Sequence, residues 1–153
     1  MSLFRRREPP LPKAAVCFNS PIRTRRAADW LRNLGGCRPI GVLSDDCEDV
    51  VWQCDTEQAN LLMLETDFTE GVEDKDVSTR CDIAIEVRRK LPNCRVYLIC
   101  EEGYPEKLAA LEKAAELKLI DGYCIGDLSA QQMRTWLDET KEAMKATAHP
   151  LQL

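Results

Sequence analysis

The chain has 153 residues, of which 44% are apolar and 31% charged, with a net charge of −5. These values describe one globular domain able to bury a core, and they exclude a low-complexity or disordered chain. No apolar run reaches membrane-spanning length and no h-region follows the N-terminal arginines, so the expectation is an intracellular, cytoplasmic protein without a secretory signal.

Eight cysteines (Cys17, Cys37, Cys47, Cys54, Cys81, Cys94, Cys100, Cys124) form no C-x-x-C pair, and the only histidine, His149, lies in the tail. That spacing argues against a zinc module or a thioredoxin-type redox site, and the thiols read as reduced, mostly structural filler. Charge is unevenly spread. Residues 1–40 carry nine Lys/Arg against two acids, a balance of +7, whereas the remainder carries twelve against twenty-four, a balance of −12. Such a dipolar chain could dock electrostatically with a partner, although a solvated surface accounts for the same pattern.

Residues 1–12, with Arg5-Arg6-Arg7 and three prolines, read as a disordered or extended, basic and proline-rich arm. Nucleic-acid contact through it is disfavoured by the overall negative charge. Lys13–Phe18 is the first strand. Ser20 caps, and Pro21 opens, a helix to about Leu34 whose apolar face holds Ile22, Ala27, Trp30, Leu31 and Leu34, with Gly35-Gly36 ending it. Ile40–Leu43 is a short second strand, and Ser44-Asp45-Asp46 caps a helix to about Cys54.

Leu61-Leu62-Met63-Leu64 is an unbroken apolar run, which predicts a central strand covered on both faces and ended by Glu65. An acidic loop over 70–76 follows. A third helix starts at Asp76 or Ser78, puts Cys81, Ala84, Ile85, Arg88 and Leu91 on one face, and stops at Pro92. Arg95–Cys100 is the fourth strand. Tyr104-Pro105-Glu106 opens a helix bearing Leu108, Leu111, Ala115 and Leu119, and Gly122–Ile125 is the fifth strand. Ser129 with Gln132 forms a capping box for a last helix striped by Met133, Trp136, Leu137, Thr140 and Met144, and residues 146–153 should fray. Strict alternation of five strands and five helices gives an α/β domain over 13–145, with right-handed crossovers, a parallel sheet and helices on both faces.

Two segments resemble the receiver domains of two-component response regulators. Leu91-Pro92-Asn93-Cys94-Arg95-Val96-Tyr97-Leu98-Ile99-Cys100 is similar to that family's passage from helix 3 to strand 4. Ile120-Asp121-Gly122-Tyr123-Cys124-Ile125-Gly126-Asp127-Leu128-Ser129 is similar to its strand 5 segment, D-G-Y-L-x-K-P-x-S. The resemblance covers about residues 13–145 and implies a flavodoxin-like, three-layer (βα)5 sandwich with strand order 2-1-3-4-5.

The resemblance also implies where phosphorylation chemistry would sit, and each position departs from it. Two acids that would hold Mg²⁺ after strand 1 are replaced by Asn19 and Ser20, the acceptor aspartate by Glu65, the Ser/Thr after strand 4 by Cys100, and the strand 5 lysine by Gly126, with Asp127 for the following proline. Phosphoryl transfer to a carboxylate needs a divalent ion and a fixed cation against developing charge. The resemblance therefore implies a degenerate receiver, a non-enzymatic signalling or protein-interaction module that needs no cofactor or metal.

Glu65 reads either as a phospho-aspartate mimic or, the favoured reading, as a lone solvent-exposed acid at a strand end. Tyr123 stands where receivers carry a switching aromatic. The face of the fourth helix, fifth strand and fifth helix, through Leu108, Leu111, Tyr123, Met133 and Trp136, would contact a signalling protein or a second copy. An alternative is an anion- or nucleotide-binding module using Ser20, Arg23, Thr24, Arg25 and Arg26 at a helix N-terminus. A metal site rebuilt from Asp45, Asp46, Glu65 and Asp67, or a redox role for Cys100, is disfavoured by spacing and by the lack of a basic neighbour.

Overall fold

A computed structural model describes residues 10–44, 46–66, 79–100 and 105–148. The elements are β1 (Lys13–Cys17), α1 (Pro21–Leu34), β2 (Arg38–Gly41), α2 (Cys47–Glu57), β3 (Leu61–Thr66), α3 (Thr79–Lys90), β4 (Arg95–Cys100), α4 (Pro105–Glu116), β5 (Gly122–Ile125) and α5 (Ala130–Ala148). All strand pairs are parallel, in the order β2-β1-β3-β4-β5. Residues 1–9 of the arm, the acidic loop over 70–76 and the end of the tail lie outside the described residues. Pro12, at the end of the expected arm, is buried and its carbonyl accepts the Arg38 N–H, and α5 itself runs to Ala148, past Lys145.

Side-chain alternation along the central strands divides the core into two layers. Ala15, Leu62, Leu64, Val96 and Leu98 meet Val50 and Cys54 of α2, Ile83, Ala84 and Val87 of α3, and Leu111 of α4. Ala14, Val16, Leu61, Met63 and Tyr97 meet Ala27, Ala28 and Leu31 of α1 and Met133, Trp136 and Leu137 of α5. Every residue of β3 is buried, as its apolar run requires.

The local signals act where they were expected. Ser20 Oγ accepts the Arg23 N–H (3.2 Å), and Gly35 at φ 79° donates its N–H to Leu31 O (3.0 Å). Asp46 caps α2 by accepting the Asp49 N–H (3.2 Å), and Ser129 Oγ accepts the Gln132 N–H (3.0 Å). Four expectations are corrected. β2 begins at Arg38, because Arg38 pairs with Lys13 and its N–H reaches Pro12 O (2.8 Å), so backbone pairing outweighs side-chain polarity at this edge. α2 runs on to Glu57 before Gln58 ends it in a left-handed conformation. On α1 the buried face is Thr24, Ala27, Ala28 and Leu31, leaving Ile22 at 68% and Trp30 at 50% exposure. On α3 it is Ile83, Ala84 and Val87, with Ile85 exposed.

Several protonated groups are buried with the core. Burial pushes Tyr97 up to about 12, Cys54 up to about 12 and Cys124 up to about 11. In the unfolded chain these groups lose their protons at lower pH, near 10.0 for the phenol and 9.0 for the thiols. Above about pH 9 the unfolded state therefore binds fewer protons than the native state, and stability falls as pH rises. The expected result is a folding free energy that declines from about pH 9 through pH 11, with Tyr97 phenolate absorbance appearing only on unfolding. A flat profile to pH 11 would contradict this packing.

Candidate functional site

The carboxyl end of β3 carries the deciding geometry. Glu65 has the strand parity of Leu61 and Met63, so it faces the α1 layer, and it is 1% exposed. The loop after β1 arrives beside it because β1 and β3 are neighbours, with Cys17 opposite Leu64. Asn19 N–H donates to Glu65 Oε1 (2.9 Å). From the first turn of α1, Arg23 Nη1 donates to Oε1 (2.8 Å) and Nη2 meets Oε2 (2.6 Å). This is a two-pronged guanidinium–carboxylate pair, stronger and more directional than a lone ammonium contact. Phe18 stacks under the guanidinium, 5.3 Å from its ring centre, and Thr24 Oγ1 fixes the loop by accepting the Phe18 N–H (2.9 Å). Arg23 remains 46% exposed on its outer side.

The reading of Glu65 as a lone, solvent-exposed acid is thus overturned. A strand that continues to Thr66 carries the carboxylate inward, and a cation four residues beyond Asn19 closes over it.

Several known structures share this architecture. A receiver domain from Clostridium thermocellum matches with a TM-score of 0.68 and 12% identity, over 90% of this chain and 99% of that one. The receiver domain of the regulator AraT from Geobacillus stearothermophilus matches at 0.65 and 14%, over 90% and 98%. A putative pilus assembly-related protein from Burkholderia pseudomallei matches at 0.63 and 12%, over 87% and 91%. The chain has the receiver fold. No protein-family model and no curated protein matches its sequence.

Within the receiver fold, the other chemical positions gather at the same sheet end. Thr66 pairs in register with Cys100, and Gly126, at φ 88°, donates its N–H to Cys100 O (2.7 Å). Cys100 is 1% exposed. Asn19 is exposed and Ser20 is engaged as a helix cap. These donors do not fit a Mg²⁺ ion. Both oxygens of Glu65 already meet a guanidinium, and neither Asn19 nor Ser20 brings the negative charge that would compete for a hard cation. Asp45 and Asp67 lie outside the described residues, and Asp46 is taken up in capping α2. Among the described residues no three His, Cys, Asp or Glu side chains cluster in a metal-binding arrangement.

The residues of the anion reading do not converge. Arg23 is held by Glu65, Thr24 is buried against Phe18, and Arg25 and Arg26 point outward. The interaction-face reading needs a correction: Leu111, Met133 and Trp136 are 1%, 1% and 3% exposed and belong to the core, because the helical stripe that made them look like an interface is the stripe that packs on the sheet. Leu108 stays on the surface at 41%, and Tyr123 is half-buried against the layer that holds Leu111. Sequence reasoning placed Arg23 and Glu65 in separate candidate sites. The strand order was the available signal, since it sets the loop after β1 beside the end of β3.

Proposed function

We propose that this chain is a pseudo-receiver, a non-enzymatic cytoplasmic module that signals by binding another protein and not by its own phosphorylation. One observation carries the reading. The carboxylate at the acceptor position is already neutralised from within, by a guanidinium in two-pronged contact and a backbone N–H. A phosphoryl group arriving there would have to displace Arg23, and it would find Gly126 and Cys100 where a lysine and a hydroxyl are needed. The internal pair ties the loop after β1 to the end of β3 without a phosphoryl group. Incubation with acetyl phosphate and Mg²⁺ should leave the intact mass of the chain unchanged, and Glu65→Asp alone should not alter that result. Acid-stable or hydroxylamine-sensitive addition of one phosphoryl group to the natural chain would overturn the proposal.

A further inference from the structure

Two surface features match each other, and the first borders the Glu65 pair, sharing Phe18 and the outer side of Arg23 with it. The first is a groove of about 270 Å³ between α1 and the start of α5, floored by Phe18, Ala27, Leu128 and Met133 and rimmed by Arg23, Arg26, Trp30 and one acid, Asp127. Small-molecule sites are generally larger, roughly 300–1,000 Å³. This groove has the size of one large side chain. The helix forming its wall carries four arginines against one aspartate, and that aspartate, Asp29, is paired with Arg32 at 2.6 Å. Arg25 and Arg26 are exposed and have no acidic partner among the described residues.

The second feature is α2, on the opposite side of the sheet. Trp52 projects from it at 68% exposure. The helix carries Glu48, Asp49, Asp55 and Glu57 and no basic residue. Helical spacing puts Glu48, Asp49 and Asp55 around Trp52 on the outer face. The negative field extends to α3: carboxylates of Glu86, Asp46, Asp82 and Glu48 add to burial in raising the Cys47 thiol.

We propose that the partner of the α1–α5 groove is a second copy of this chain, which inserts Trp52 between Arg26 and Trp30 while its Glu48 and Asp49 meet Arg25 and Arg26. A slot walled by Trp30 and flanked by the exposed Arg25 and Arg26 matches an exposed tryptophan ringed by acids in size and in charge, and tryptophan and arginine are the side chains that dominate interface energetics. Groove and tryptophan lie on opposite faces of one molecule, so a chain cannot satisfy itself. The contact is head-to-tail, so an open assembly carries a free groove at one end and a free Trp52 at the other. This inference does not rest on the phosphorylation reading.

Sedimentation velocity on the full chain tests it, over protein concentrations from about 10 µM to about 1 mM, since so small a contact implies a Kd on the order of 100 µM. The average mass should climb with concentration at low salt, and raising the salt should weaken association on the order of tenfold. Trp52→Ala and the double variant Arg25→Glu/Arg26→Glu change only exposed side chains; each alone should remain monomeric with an unaltered melting curve, and Arg26→Gln should weaken assembly in the same direction. An equimolar mixture of the first two should give a heterodimer and nothing larger, because Trp52 of the charge-reversed chain still enters the intact groove of the other. A natural chain that stays monomeric at the highest concentration, assembly that survives Trp52→Ala, or a mixture that stays monomeric would each overturn the proposal.

Discussion

Trp136→Ala is expected to be the most damaging single substitution outside the central strands, lowering stability by about 3–5 kcal/mol. Trp136 is 3% exposed and lies on Tyr97 with ring centres 4.6 Å apart and planes inclined by 19°. Its removal opens a cavity between α5 and β4 and unstacks a tyrosine that is itself fully buried. Gly122 lies directly beneath: a Cβ there would meet Tyr97 Cδ1 at 3.1 Å and Trp136 Nε1 at 3.5 Å. Gly122→Ala should therefore cost about 1–3 kcal/mol in the natural chain and less in the Trp136→Ala background, where the rings can retreat. Tyr97→Phe keeps the stack and loses only the phenol, which accepts from Arg95 Nε (2.7 Å) and donates to Glu139 Oε1 (2.9 Å), a loss of about 1 kcal/mol. Urea unfolding of the four variants measures the order. A Trp136→Ala protein within about 1 kcal/mol of the natural chain would mean that the stack does not hold α5 to the sheet.

Arg23→Ala should destabilise more than Glu65→Gln, by about 2–3 against about 1 kcal/mol. The asymmetry follows from burial. Removing Arg23 withdraws the guanidinium from a carboxylate that is 1% exposed, whereas removing the charge of Glu65 frees an arginine that is already 46% exposed and can turn to water. Because of that outer exposure the cost stays below the roughly 3–5 kcal/mol of a fully buried pair. The side-chain amide introduced by Glu65→Gln also keeps a carbonyl acceptor for the Asn19 N–H. A double-mutant cycle in urea should return a coupling of about 1–3 kcal/mol. Equal costs, or a coupling near zero, would show that the contact is incidental and would remove the main support for a phosphorylation-independent module.

The two expectations differ in how far the residues announced them. The alternation of apolar runs with capped, 3.6-period stretches already specified five strands, five helices and their order. Ser20, Asp46 and Ser129 marked helix starts with side chains that bond their own backbone, an interaction local in sequence. Leu61–Leu64 read as a doubly covered strand because only such a strand is apolar on both faces. The loss of acids at Asn19 and Ser20 and of the lysine at Gly126 was equally legible, since an absent charge needs no geometry to be recognised.

What the chain order could not reveal was which apolar stripe faces inward and which distant charges meet. Met133 and Trp136 looked like an interface and are core, and Ile22 and Trp30 looked like core and are surface. A helical stripe fixes a direction relative to its own axis, and only the docked sheet turns that direction into inside or outside. Likewise Arg23 and Glu65 lie 42 residues apart and become partners because β3 lies beside β1. Sequence by itself determined the fold and the missing charges. Tertiary structure alone decided that the remaining carboxylate is buried and matched, because pairing of ions across a sheet depends on strand neighbours and not on spacing along the chain.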